Sequence, residues 1–178
     1  SFKEYDELVT GNVIFQNRTM GIGLLTREQA IAYGVTGPAG RGSGFACDVR
    51  KRAPYSAYDK VQFNEILYNE GDSFARYKVR MDEMLESLKI IEQLIDNIPE
   101  GSYVEKMKAV IKLPEGEYFQ QVETARGELV VHIISDGNKT PYRVKFRSPC
   151  LSTLSVMDLI SRNQKIADLI AIGGSLDL

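Results

Sequence analysis

The spacing of apolar positions divides the chain into a helical opening, a glycine-rich connector, one long helix, and a strand meander that returns to helix. The most regular stretch runs from about residue 72 to 97. There Met81, Met84, Leu85, Leu88, Ile91, Ile95 and Ile98 recur mostly at steps of three and four. That spacing predicts an amphipathic helix whose apolar stripe packs on a core. Arg80, Glu83, Glu86, Lys89 and Glu92 fall mostly on its other faces, and Pro99-Glu100-Gly101 stops it. Upstream, Thr26-Arg27-Glu28-Gln29 fits a reciprocal cap, in which the Thr26 hydroxyl accepts from the Gln29 amide and Gln29 reaches back. The cap opens a short helix through Ala30, Ile31 and Ala32 that ends near Gly34.

Alternation with a period of two takes over at 118–124, 129–135 and 142–147, which predicts three strands with turns at Ala125-Arg126-Gly127 and at 136–139. The middle strand is apolar on both faces and is expected to be buried. In the third, Tyr142, Val144 and Phe146 alternate with Arg143, Lys145 and Arg147, so one face is expected to pack and the other to form a basic ladder. Residues 155–172 resume helical spacing with a weak point at Arg162-Asn163, predicting two short helices. Between 34 and 58 the crowding of Gly34, Gly37, Gly40, Gly42 and Gly44 predicts a loop. The fold class expected from these elements is α+β, a long amphipathic helix and shorter helices packed with a three-stranded antiparallel meander.

Composition narrows the chemistry. The 178 residues suffice for one domain or a substantial piece of a larger one. A net charge of -2 argues against capture of nucleic acid. Only His132 and two distant cysteines, Cys47 and Cys150, are present, so a disulfide framework or a self-contained metal cage is poorly supported. No apolar run reaches the ~18 residues of a spanning helix. The chain opens without Met and stops just after the apolar stretch 167–172, which reads as a fragment cut from a longer polypeptide.

Several residues are candidates for chemistry. Gly40-Arg41-Gly42-Ser43-Gly44 lacks the Gly-Lys-Ser/Thr of a phosphate loop and the strand-to-helix setting of a dinucleotide fingerprint. Arg41 within it is a reasonable anchor for an anion or a carbonyl. Arg126 at the hairpin tip is either a solvated surface residue or one projected from a rigid support into a cleft; both readings stand at this level. His132, among apolar neighbours, reads as a core or interface imidazole. Arg50-Lys51-Arg52 reads as a solvated loop face, and the cysteines as small buried residues. The residues alone assemble no complete active site.

A resemblance covers nearly the whole chain. Thr36-Gly37-Pro38-Ala39-Gly40-Arg41-Gly42-Ser43-Gly44, then Asp48-Val49-Arg50-Lys51, Pro54-Tyr55 and Gly71-Asp72 leading to Arg76-Tyr77, occur in order. They are followed by Val122-Glu123-Thr124-Ala125-Arg126-Gly127-Glu128, Ser135-Asp136-Gly137, Pro141-Tyr142-Arg143-Val144-Lys145 and the closing 167–177 ending Ser175-Leu176-Asp177. Together these resemble the C-terminal half of the quinone-side, D-type family of respiratory complex I subunits, whose superfamily includes nickel–iron hydrogenase large subunits. By that resemblance the chain is the C-terminal part of a D-type domain, without its N-terminal half, in a fragment of a hydrogenase-large-subunit-like fold.

The resemblance implies an NADH–quinone oxidoreductase in which this chain forms a wall of the quinone-reduction chamber and contacts neighbouring subunits. Arg126 matches the basic residue of the family's E-[AS]-P-[RK]-G-E motif, Asp177 its closing aspartate and Arg41 the arginine of G-x-x-x-R-x-S-G. These three are the expected chamber residues, with no catalytic residue and no metal ligand assigned. Thr124-Ala125 departs from the Ala or Ser then Pro of that motif, which puts the placement of Arg126 in question. NADH, FMN and the iron–sulfur clusters are implied for the parent complex, with no cofactor bound by this chain itself. Implied partners are quinone and the complex I iron–sulfur and membrane subunits, on the cytoplasmic side of a bacterial plasma membrane; the isolated piece is expected to be inactive and to self-associate. Two alternatives stay open: a nickel–iron hydrogenase-related fragment, for which Cys-x-x-Cys would follow Leu178, and a structural module that docks other subunits.

Overall fold

The computed structural model describes residues 2–107 and 110–178. Short helices α1 (Phe2–Tyr5) and α2 (Val13–Asn17) flank a π-helical turn at Asp6–Thr10. They lead to α3 (Arg27–Ala32), α4 (Gly37–Arg41) and α5 (Val49–Arg52), then to the long α6 (Ser73–Ile95). Strands β1 (Gly116–Thr124), β2 (Gly127–Ser135) and β3 (Arg143–Arg147) follow, and α7 (Pro149–Ser155), α8 (Met157–Ser161) and α9 (Ile166–Leu176) close the chain. The α+β class and the antiparallel order β1-β2-β3 agree with the sequence pattern. So does the α3 cap: Gln29 N donates to Thr26 Oγ1 at 3.2 Å while Thr26 N donates to Gln29 Oε1 at 2.9 Å.

The glycine-rich connector is not the plain loop its composition suggests, because α4 and α5 lie within it. Pro38 falls in the first turn of α4, where its fixed φ favours helix and its missing N–H is no loss. Asp48 starts α5 by accepting from Arg50 N at 2.9 Å. Glycine density masked these starts. Both helices are short enough that position in the fold, rather than propensity, maintains them.

One apolar cluster ties the N-terminal helices to the C-terminal ones: Leu25, Ala30, Val35 and Ala39 meet Val156, Ile160, Ile172 and Leu176. A smaller one joins Val61 and Phe63 to Ile90 of α6. Asp72 holds the start of α6 in place, since one carboxylate oxygen accepts from Ala75 N at 2.7 Å and the other from Gly21 N at 2.8 Å.

The stripe on α6 runs opposite to expectation. Of its seven members only Met81 is buried; Leu88 is 52% and Ile91 54% exposed, and Met84, Ile95 and Ile98 are exposed as well. Arg76, Val79, Glu86 and Ile90 are what the helix turns inward. Similarly, the middle strand is half-buried rather than buried, and Tyr142 just before β3 and Val144 and Phe146 within it lie open. An apolar face of this extent favours association. Sedimentation of the isolated chain is expected to show self-association that L88S combined with I91S weakens. A parent chain that sediments as a monomer would contradict this.

Candidate functional site

The site starts from an arginine in the glycine-rich helix. Arg41 is 1% exposed, and its guanidinium bridges two carboxylates from distant segments. Nε donates to Glu83 Oε1 of α6 at 2.6 Å, and Nη1 donates to Glu123 Oε1 of β1 at 2.8 Å. The second oxygen of Glu123 accepts from Val49 N at 3.1 Å, at the start of α5. One carboxylate thus ties strand, connector and helix together. Burial opposes the Arg41 charge, but Glu83 and Glu123 outweigh it and hold the guanidinium above its ordinary pKa. Burial likewise raises Glu123, against the opposing pull of Arg41.

Around this pair the connector is pinned by side chains. Glu65 Oε1 accepts from Cys47 N at 2.8 Å and Asp48 N at 2.9 Å. Tyr55 brackets Glu123: its hydroxyl accepts from Glu123 N at 3.0 Å and donates to Glu123 O at 3.4 Å. Arg50 is not a solvated residue of a basic run. It donates to both oxygens of Asp48, and its guanidinium carbon lies 4.9 Å from the centre of the Phe63 ring. Cys47 is fully buried, and desolvation pushes its thiol up to about 12, which keeps it from acting as a nucleophile at neutral pH.

The hairpin tip supplies the second layer. Thr36 Oγ1 accepts from Glu128 N at 3.0 Å, and Arg147 donates to Gly34 O at 2.6 Å and to Glu128 O at 2.8 Å. The turn carrying Arg126 is therefore clamped to the residues just before α4. Arg126 is half-exposed, and its Nε lies 3.4 Å from Asp177 Oδ2. That contact holds the Arg126 guanidinium above its ordinary pKa. Asp177 itself sits in the left-handed region, φ 55°, just past α9. Such a backbone is tolerated by Asp at a cost of about 1 kcal/mol and is found more often at functional positions than elsewhere.

Two cavities share Asp177, the carboxylate of this ion pair, in their linings. The first, 390 Å³, is lined by Arg41, Glu83, Glu123, Tyr58, Arg80 and Asp177 among others. The second, 490 Å³, has Phe15, Tyr77 and Ser175 in its lining and again includes Arg80 and Asp177. Asp177 and Arg80 thus stand between the two. Of the three residues singled out by motif, Arg126 and Asp177 meet, and Arg41 lies in the floor of the first cavity, which Asp177 also lines. Glu83, Glu123 and Arg80 were not singled out. A signal existed for two of them, since Arg76, Arg80 and Glu83 recur at steps of four and three as a polar stripe.

His132, on β2, bonds Glu117 Oε1 at 2.6 Å, away from both cavities. Cys150 is half-buried, with its sulfur 4.0 Å from Arg126 Nη1. Among the described residues no group of three or more His, Cys, Asp or Glu is placed to hold a metal. No helix among them is long and apolar enough to cross a membrane.

A family described as the respiratory-chain NADH dehydrogenase 49 kDa subunit matches residues 1–112 and 105–178, and the chain belongs to that family. It is 61% identical to a C/D-type NADH-quinone oxidoreductase subunit of Phocaeicola vulgatus, over 98% of this chain and 34% of that protein. It is 49% identical to a D-type NADH-quinone oxidoreductase subunit of Desulfotalea psychrophila, over 100% of this chain and 48% of that protein. The chain spans about a third of the length of the C/D-type relative and about half that of the D-type relative.

Proposed function

We propose that this chain forms one wall of the quinone-reduction chamber of an NADH–quinone oxidoreductase, as part of a longer D-type polypeptide. The observation that carries the reading is Asp177, which pairs with Arg126 of the clamped hairpin tip and lines two cavities, the first of them lined also by the buried Arg41. Quinone reduction adds two electrons and two protons, placing negative charge on the ring oxygens before protons arrive. A fixed guanidinium stabilises that charge, and a nearby carboxylate accepts a hydrogen bond from the quinol hydroxyl. Electrons enter by tunnelling from carriers in neighbouring subunits, so this chain needs no metal ligand of its own. Arg41 does not meet the substrate in this reading; it keeps Glu83 and Glu123 paired and the cavity floor rigid. The exposed faces of α6 and of the sheet are contact surfaces for the rest of the membrane-associated assembly on its cytoplasmic side.

The nickel–iron alternative is disfavoured, since the relatives above are quinone oxidoreductase subunits. The docking-module alternative differs in what mutation does. In the intact oxidoreductase, R126Q and D177N are each expected to lower NADH:quinone turnover by about tenfold or more, a loss typical of a group acting on transition-state charge. NADH oxidation by an artificial acceptor at the flavin end should stay at the parental rate. Stability should barely move, because a half-exposed ion pair contributes little. Parental quinone turnover in both assembled variants would refute the chamber reading and leave docking.

A further inference from the structure

Arg76, in the first turn of α6, is fully buried, and among the described residues it makes no ion pair. Burial, helped by the charge of Arg80 and opposed by Asp72, draws its pKa down to about 10, so the group stays charged at neutral pH. A buried charge persists only where its donors are met. Neutral oxygens meet them here. Nη1 donates to Gly71 O at 2.9 Å, and Nη2 donates to Gly23 O at 2.9 Å and to Ser73 Oγ at 3.1 Å. Nε donates to Ser175 Oγ of α9 at 2.9 Å. Glycines wall the side chain in. A Cβ at Gly23 would sit 3.1 Å from Arg76 Nη2, and one at Gly42 would sit 3.1 Å from Arg76 Cγ. The guanidinium thus has one seat, fixed by the loops at Gly23 and Gly71, and from that seat it holds α9.

Ser175 lies two residues before Asp177. Its hydroxyl accepts from Arg76 and donates to Ile172 O at 2.7 Å, so it links the guanidinium to the preceding turn of α9. Burial of Ile172 and Leu176 draws the helix onto the core, but apolar packing has no direction of its own. A charge-assisted hydrogen bond from a fixed fork does have one, and it sets the rotation of the last turn. Asp177 depends on that rotation. Its backbone leaves the helix at φ 55°, and its carboxylate reaches Arg126 Nε at 3.4 Å, a half-exposed contact that holds little by itself.

We propose that Arg76 is a positioning residue: it acts through Ser175 to hold the end of α9 so that Asp177 faces Arg126, and it touches no substrate. This rests on the quinone-chamber reading and deepens it by naming what orients the carboxylate. The consequence is kinetic. A carboxylate that meets the quinol hydroxyl acts late in the reaction, so misplacing it lowers kcat more than it raises KM.

The test uses the intact oxidoreductase and a short-chain quinone. S175A deletes the acceptor and is expected to lower kcat by about fivefold to tenfold with KM within about twofold of the parent, inside the range for a misplaced reacting group. S175T keeps the hydroxyl and should restore kcat. R76K keeps the charge without the planar fork and should match S175A. R76K/S175A should be no worse than either single variant, since both cut the same bond. The discriminating variant is S175A/D177N. If Ser175 works through Asp177, this enzyme turns over at the rate of D177N alone; a role confined to folding would multiply the two losses. NADH oxidation at the flavin end should stay parental throughout. Parental kcat in S175A, or losses that multiply in S175A/D177N, overturns the proposal, and a failure of R76K to assemble leaves those two variants to decide it. If the proposal is overturned while R126Q and D177N still lose quinone turnover, the chamber reading survives; should R126Q and D177N both behave as the parent, both readings fail.

Discussion

Replacing Arg41 by methionine is expected to destabilise the fold by about 3–5 kcal/mol at neutral pH, the range for breaking a buried ion pair from one side. The substitution keeps most of the side-chain volume, so the loss is electrostatic. Glu123 is only 4% exposed and would be left in the interior with Val49 N as its hydrogen-bond donor and without its direct ion-pair partner. Its carboxyl, already raised by burial, loses the guanidinium that opposes the rise and moves further up. A carboxyl with a raised folded pKa binds its proton more tightly in the native state. Stability therefore falls as pH rises through the interval between the unfolded and folded values, and the deficit is complete above it. Urea unfolding of R41M should accordingly show its largest deficit at neutral pH and a smaller one near about pH 5, where Glu123 is more nearly protonated. Adding E123Q to R41M should restore part of the loss, because a neutral amide tolerates the site better than an unpaired carboxylate. A deficit under about 1 kcal/mol that does not change with pH would mean the bridge is a surface pair in energetic terms.

That bridge shows where sequence reading stops. Arg41 was legible as a candidate because its glycine surroundings and motif set it apart. Its partners lie 42 and 82 residues away, and nothing in local spacing joins them. Periodicity reports which residues share a face of one element, but not which face meets the rest of the molecule. On α6 this produced an inversion: most of the apolar stripe is exposed, while Arg76 is buried and Arg80 and Glu83 line the first cavity. The existence of α6, its Asp72 start and its stop before Pro99 were all readable, since caps and breakers are local. Strand boundaries were legible to within two residues for the same reason. Burial of the middle strand was overestimated, because apolar faces also serve surfaces that meet other polypeptides. The short helices at Gly37–Arg41 and Val49–Arg52 were hidden by glycines whose role is close approach rather than flexibility.

Those glycines lead to the second large effect. Gly37 has φ +67°, and a side chain there would sit 2.5 Å from Arg126 O and 2.6 Å from Gly127 N. Gly127 has φ +127°, and a side chain would sit 2.7 Å from Thr36 Oγ1 and 2.8 Å from Gly37 N. The two backbones therefore touch across the seam between α4 and the tip that carries Arg126. G37A is expected to cost about 3 kcal/mol or more, combining an unfavourable left-handed alanine with a clash that neither backbone can easily relieve. G21A provides the control, because Gly21 has φ +69° and open space around it. It should cost only the conformational part, about 1 kcal/mol. The double variant G37A/G127A should lose less than the sum of its singles, since either methyl alone already forces the same seam apart. In the intact enzyme G37A should also lower quinone turnover while sparing the flavin end, because a displaced tip carries Arg126 away from Asp177. If G37A proves no more destabilising than G21A and leaves turnover intact, the seam is loose, and the clamped hairpin does not position the ion pair.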